Sequence, residues 1–164
     1  MSVYRISRNL EASIIDFVKE SLEASPYSWE DINIIKGFNK VYELELPTVA
    51  IRAENTIYTK VEIGSNNFTR TVQVFVDIFA DSDGLRLDLK DAIIEILKNG
   101  LVYYEYTITK GGKVATSSSQ ANGRIRIIKI DDTPLNFAIE KSKLETHDKF
   151  RHLLTLSVNI GKVE

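Results

Sequence analysis

Residues 70–100 form the most strongly patterned stretch of this chain and read RTVQVFVDIFADSDGLRLDLKDAIIEILKNG. The first eleven residues alternate with a period of two, which is typical of a β-strand with one buried face. That face is predicted to comprise Val72, Val74, Val76, Ile78 and Ala80. The opposite face is mixed, because Phe75 and Phe79 lie among polar residues. We therefore expect another element, or another subunit, to cover part of the second face.

The remainder of this stretch predicts a helix. Ser82 or Asp83 can accept hydrogen bonds from the free N–H groups of the first turn, and Gly100 is typical of a helix end. The main apolar stripe comprises Leu85, Leu89, Ile93, Ile96 and Leu97. Leu87 and Ile94 lie seven residues apart on a different side. The helix is therefore apolar over more than one narrow face.

The N-terminal segment predicts another helix. Its apolar stripe comprises Ile6, Leu10, Ile14, Phe17, Val18 and Leu22. We expect it to end at Ser25, because a residue that precedes a proline avoids the helical conformation. Further predicted strands are residues 32–36, 48–53, 57–63, 101–109, 124–130 and 150–160, with turns at 54–56 and 64–67. One face of the strand at 101–109 is predicted to comprise Val102, Tyr104, Tyr106 and Ile108.

These elements predict one α+β domain over residues 1–164. The order lacks the regular strand–helix alternation of a doubly wound parallel sheet. We expect a mostly antiparallel sheet of about five to seven strands, with two helices packed on one face, plus a long β-hairpin. The hairpin tip, residues 110–122, is rich in Gly and Ser, has no apolar pattern and is predicted to be flexible.

Composition excludes several classes of protein. The chain has 164 residues, a formal net charge of −2 and no cysteine. A near-neutral balance argues against coating nucleic acid through bulk positive charge. The lack of cysteine excludes a disulfide framework, a cysteine zinc site and a thiol nucleophile. No apolar run approaches the ~20 residues that span a bilayer, and the start lacks a signal-peptide core, so we expect cytosolic synthesis.

Candidate chemical motifs fail on spacing. Asp81-Ser82-Asp83-Gly84 resembles the middle of a calcium loop, but that alignment places Phe79 and Lys90 where acidic ligands are required. His147 and His152 have no local nucleophile or carboxylate partner, and we interpret both as structural. No phosphate loop or nucleophile elbow is present. The sequence therefore contains no local motif for catalysis, phosphate binding or a metal site, although paired catalytic carboxylates remain possible among its 23 acidic residues.

Five basic residues lie in or near the long hairpin: Lys110, Lys113, Arg124, Arg126 and Lys129. Such a group can contact a phosphate backbone without reading its sequence. It can equally bind an acidic protein surface or form a solvated hairpin tip. The sequence leaves these alternatives open.

A series of short segments extends the interpretation beyond fold class. They are PTV (47–49), VEIGS (61–65), RTV (70–72), VDIFA (76–80), RLDLKD (86–91) and IIEIL (93–97). With the N-terminal helix and residues 29–35, their order over residues 1–110 resembles the tail terminator proteins of long-tailed bacteriophages. These are also called tail completion or head–tail joining proteins.

The resemblance implies a non-enzymatic part of the virion without a cofactor. Such proteins form a homo-hexameric ring on the tail tube, stop its growth and dock to the head connector or neck protein. DNA passes transiently through the channel, and in contractile tails the ring also contacts the sheath. The implied location is the host cytoplasm during assembly, then the head-proximal end of the virion tail.

A closed ring of identical subunits requires two different lateral faces on each subunit. We expect Leu87 and Ile94 to supply one face, and Phe75 and Phe79 the other. The five basic residues near the hairpin are expected to contact a partner or the DNA channel. The alternatives are another ring-forming tail or neck protein, such as a tube or sheath-associated subunit, a nucleic-acid-binding module, or a small enzyme with a dispersed active site.

Overall fold

A computed structural model describes residues 5–37, 40–64, 66–108, 114–135 and 146–161. The helices in these ranges are α1 (Ile6–Glu23) and α2 (Asp83–Leu97). The strands are β1 (Asn33–Lys36), β2 (Thr48–Lys60), β3 (Phe68–Ala80), β4 (Leu101–Ile108), β5 (Val114–Pro134) and β6 (Phe150–Gly161). Short 3₁₀ turns lie at Val41–Glu43 and Thr146–Asp148. None of the described helices is both long enough and apolar enough to cross a membrane.

The strands form one sheet in the order β1-β2-β3-β6-β5-β4. The β1–β2 pair is parallel, and the other four pairs are antiparallel. The predicted fold class, a mostly antiparallel α+β arrangement with two helices, is confirmed. The strongly patterned strand, β3, lies in the interior of the sheet between β2 and β6.

Both helices pack on the same face of the sheet. The predicted face of β3 is buried there, and Val74, Val76 and Ile78 are fully inaccessible to solvent. Burial of each such side chain stabilises a fold by about 1.5–3 kcal/mol. The helices contribute Leu10, Ile14, Val18 and Leu22 from α1, and Leu89, Ala92, Ile93 and Leu97 from α2. The core therefore follows the predicted apolar stripes closely.

The predicted turn at 54–56 is wrong, because β2 continues through it. Ala53 pairs with Val74 and Thr56 with Val72, so two residues of β2 oppose one residue of β3. This is a β-bulge, which accommodates the extra residue without ending the strand. The Ala53 N–H donates to a carboxylate oxygen of Glu11 in α1, 2.9 Å away. The bulge thus has a buried acceptor from the helix that covers it.

Three of the four residues predicted to share one face of β4 lie together: Val102, Tyr104 and Tyr106 line one cavity, and the rings of Tyr104 and Tyr106 are 6.3 Å apart. The Ile108 side chain lies outside the described part of the chain. Leu101 and Tyr103 are buried, whereas Val102 and Tyr104 are only half-buried. Pairing with β5 shifts at two places along β4, after Val102 and after Tyr106. The extra residues at both shifts lie on β5. Tyr106 is buried against α1, where its hydroxyl donates to a carboxylate oxygen of Asp16 at 2.9 Å.

Residues 114–122 of the predicted hairpin tip form the first part of β5, so this strand begins ten residues before the predicted start at Arg124. Ser119 pairs with Tyr106, and Ala121 with Tyr104. Backbone groups alone make this pairing, so it needs no apolar alternation. Residues 110–113 lie outside the described part of the chain.

Side chains of α1 cover the free edge of β4. The Tyr104 N–H donates to the Ser13 hydroxyl oxygen at 3.0 Å, and the Tyr106 N–H donates to the Asn9 side-chain oxygen at 3.3 Å. Asn9 and Ser13 are both buried. Unpaired edge groups invite pairing with another chain, and these two hydrogen bonds remove two such donors.

Candidate interaction surface

The structure corrects one predicted subunit-interface residue on β3. Phe79 is fully buried within the chain, where it packs with Val41 and Ala50. The Arg151 guanidinium lies 4.6 Å from the centre of its ring, and this guanidinium also pairs with Asp77 at 3.1 Å. An element of the same chain therefore covers this part of the second face of the sheet. Phe79 is not available to another subunit.

The other predicted interface residues differ in exposure. Phe75 is half-buried, with the Arg52 guanidinium 5.2 Å from the centre of its ring. Ile94 is partly buried and packs against the main core. Leu87 is 39% exposed. Of the four predicted residues, Leu87 is thus the most exposed, whereas Ile94 contributes mainly to the core.

The predicted basic residues do not act as one group in the described part of the chain. Arg124 is exposed and donates to the Asn99 carbonyl oxygen at 3.0 Å. Lys129 pairs with Asp131 at 2.8 Å. Arg126 is exposed and lines a cleft described below. Lys110 and Lys113 lie outside the described residues.

The main surface that the sequence analysis missed is the end of the β2–β3 hairpin, residues 57–70, which we call the hairpin arm. Pairing of β3 with β6 begins at Thr71, so in the described part of the chain no residue of the arm pairs with β6. Eight large apolar side chains of the described residues are exposed, and five belong to the arm: Ile57, Tyr58, Val61, Ile63 and Phe68. In the sequence, the apolar residues between 57 and 63 could have indicated this surface, but we interpreted them only as part of a strand.

One face of the arm alternates aromatic and cationic groups. Tyr58 pairs with Arg70, and Lys60 pairs with Phe68, so the four side chains share a face. The rings of Tyr58 and Phe68 meet edge to face, with their centres 6.3 Å apart. The Arg70 guanidinium lies 5.7 Å from the centre of the Tyr58 ring, and the Lys60 ammonium 5.8 Å from that of Phe68. These are cation–π distances.

A cleft of about 1180 Å³ adjoins this face. The arm contributes Tyr58, Phe68 and Arg70, and the β4–β5–β6 side of the sheet contributes Tyr103, Arg126 and Asn159. Tyr103 is 1% exposed, and its hydroxyl has no hydrogen-bond partner within the described chain. Burial raises the pKa of Tyr103 despite the nearby Asn9 side chain and the positive charge of Arg70. Arg124 lines a separate cavity.

The two histidines have structural partners. Arg86 can only donate to the Nδ1 atom of buried His152, at 2.6 Å, so the Nε2 atom carries the proton that Asp132 accepts. Burial alone would raise the pKa of Asp132, but hydrogen bonds from His152 and Lys90 hold it below its ordinary value. His147 bonds to the Leu44 carbonyl oxygen through Nε2, at 2.8 Å. Both partners of the His152 ring are charged side chains, and neither is a nucleophile.

Comparison with known proteins adds no family to this description. A scan against protein-family models found no match for the chain, and a search of curated proteins found no similar sequence. Within the described ranges, no three His, Asp or Glu side chains converge as a metal site requires. The features that suit binding are therefore the hairpin arm, its cleft and the exposed side of α2.

Proposed function

We propose that this protein is a structural subunit of a bacteriophage tail. In this proposal it forms a ring, a homo-hexamer, that caps the tail tube, ends tube growth and presents the docking surface for the head connector. The order of short sequence segments over residues 1–110 supports the proposal. The exposed apolar side chains of the hairpin arm are the structural observation that carries it.

The arm has the properties of a surface that is covered in an assembly. Ile63 has a relative exposure of 108%, and Ile57, Tyr58 and Val61 are each more than half exposed. Large apolar side chains that are exposed together on one short segment are typical of an interaction site. Burial of these side chains against a neighbouring subunit would favour association by about 25 cal/mol per Å² before entropic costs.

A ring also needs a second, different surface on each subunit, because head-to-tail contacts join unlike faces. Leu87 is exposed on α2, which packs over β3 and β6. The arm lies at the opposite end of β3 from the loop that leads into α2. Arm-to-α2 contact between neighbours therefore joins two separate regions of the subunit.

The test measures assembly of the whole chain with and without purified tail tubes of the same virus. Native mass spectrometry gives the subunit number, and electron microscopy locates the protein on the tubes. Ile63→Ser should abolish ring formation and binding to tube ends without loss of stability, because Ile63 is fully exposed. Ile128→Ser is the matched control, since Ile128 is also an exposed isoleucine, 59% accessible, but lies on β5.

The outcomes separate the proposal from its alternatives. Single rings at one end of each tube, lost in Ile63→Ser and kept in Ile128→Ser, support it. Continuous polymerisation into tubes indicates a tube subunit. Unchanged assembly of Ile63→Ser contradicts the role of the arm. Leu87→Ser tests the second surface in the same way, and a monomer that ignores tube ends at high concentration contradicts the proposal as a whole.

A further inference from the structure

The cleft beside the hairpin arm is positively charged. Arg70 and Arg126 both line it, and none of its described lining residues is acidic. The arginine ion pairs that the structure describes are those of Arg52, Arg86 and Arg151. The guanidinium groups of Arg70 and Arg126 therefore have no carboxylate partner in the described chain. Such groups bind phosphate well, because their planar donors match its oxygens.

The same cleft offers aromatic surface. Tyr58 is 58% exposed and Phe68 is 50% exposed, so both rings are accessible from solvent. Bases of single-stranded nucleic acid stack on such rings beside cationic groups, largely without regard to sequence. The arm provides rings and cations side by side on one face.

Tyr103, one of the residues that line the cleft, carries an unsatisfied polar group. The buried Tyr103 hydroxyl lies near the Asn9 side chain but has no partner in hydrogen-bond geometry within the described residues. A buried hydroxyl without a partner is costly, and native proteins rarely leave one unexplained. The amide of Asn159 adds a further donor and acceptor to the lining.

We propose that this cleft binds a nucleotide unit, with its phosphate between Arg70 and Arg126 and its base against Tyr58 and Phe68. The volume, about 1180 Å³, exceeds that of most small-ligand pockets and admits a nucleotide with its adjoining backbone. The nucleotide comes either from a single strand of nucleic acid or from solution. Because one chain forms the whole cleft, the proposal does not depend on ring assembly.

The test uses fluorescence anisotropy of the full chain with a labelled oligothymidylate of about 12 nucleotides. Unlabelled ATP and a duplex of equal length serve as competitors. Arg126→Ala should weaken oligonucleotide binding about five-fold or more, and should lower the slope of log affinity against log salt by about 0.7. Phe68→Ala should weaken binding about five-fold or more with little effect on that slope, and Phe68→Tyr should restore it.

Arg124→Ala is the matched control, because Arg124 is exposed on the same strand but lines another cavity. Its affinity should equal that of the unaltered protein. Displacement by ATP identifies a free nucleotide as the ligand, whereas binding of the oligonucleotide without such displacement identifies a single strand. The proposal is overturned if no probe binds, if the duplex competes as well as the single strand, or if Arg124→Ala weakens binding as much as Arg126→Ala.

Discussion

Replacement of Gly100 by alanine is expected to destabilise the protein strongly, because the added Cβ atom would be strained by the left-handed backbone and would also overlap a neighbouring strand. Gly100 joins α2 to β4 with a φ of +71°, and its N–H donates to the Leu97 carbonyl oxygen at 2.9 Å. A Cβ atom there would lie 2.4 Å from the carbonyl oxygen of Ile125. Ile125 pairs with Leu101 in the sheet, so relief of this overlap disturbs the β4–β5 ladder.

The magnitude follows from both costs. A left-handed backbone costs a residue with a Cβ atom about 1–2 kcal/mol. The Cβ atom and the Ile125 oxygen must also separate from 2.4 Å to at least 3.0 Å, a shift of 0.6 Å in backbone. Overpacking of this kind costs about 1–3 kcal/mol, and the reduced freedom of the unfolded chain offsets about 0.4–1 kcal/mol. We therefore expect a net loss of about 1–5 kcal/mol, with a midpoint of about 3 kcal/mol.

Urea unfolding followed by circular dichroism measures this loss as a change in the free energy of unfolding. Gly37→Ala is the matched control, because Gly37 has a φ of +63° but no atom within 4 Å of an added Cβ. It should lose about 1 kcal/mol or less. Gly84→Ala, in the first turn of α2 with open space around it, should be neutral or stabilising by up to about 1 kcal/mol. An equal loss in Gly100→Ala and Gly37→Ala would contradict the close approach to Ile125.

Three further predictions concern polar side chains with specific hydrogen-bond partners. Glu11→Ala should lose about 1–3 kcal/mol in urea unfolding because it removes the acceptor of the Ala53 N–H, and Glu11→Gln should lose less; equal losses would contradict this role. The pKa of Asp132 lies below 3.8, so its stabilising contribution is present above pH 3.8 and is lost as the pH falls through the folded-state pKa. When unfolding is measured as a function of pH, Asp132→Asn should therefore lose less stability on acidification than the unaltered protein. An unchanged pH profile would contradict this prediction. Burial and the hydrogen bond to Asp16 raise the pKa of Tyr106, so stability should fall as the pH rises above 10, and less so in Tyr106→Phe; identical alkaline profiles would contradict this.

Local patterns predict the helices and the central strand well. The apolar stripe and Pro26 together locate α1, which ends at Glu23. Ser82 caps α2 as expected, since its hydroxyl oxygen accepts from the Leu85 N–H at 3.3 Å. These signals act between residues that are a few positions apart. Nothing distant in the chain is needed to interpret them.

The bulge in β2 shows where such signals fail. Glu54 and Asn55 are polar residues typical of a turn, and the same residues also suit a bulge. Whether these residues form a turn or a bulge depends on pairing with β3 and on the Glu11 acceptor, which lies 42 residues from Ala53 in sequence. Neither contact can be inferred from the local sequence pattern.

The candidate surfaces show the same division. Alternation along residues 70–80 is sufficient to predict a strand with one buried face, but it cannot distinguish Phe79, which Arg151 and Val41 cover, from half-buried Phe75. The alternation also does not predict that apolar side chains of the hairpin arm remain exposed. Periodicity arises from the geometry of a single strand or helix, and it therefore specifies the elements. The burial of an apolar face depends on residues that are far away in sequence. Only the assembled fold therefore specifies which apolar faces form the core and which remain exposed.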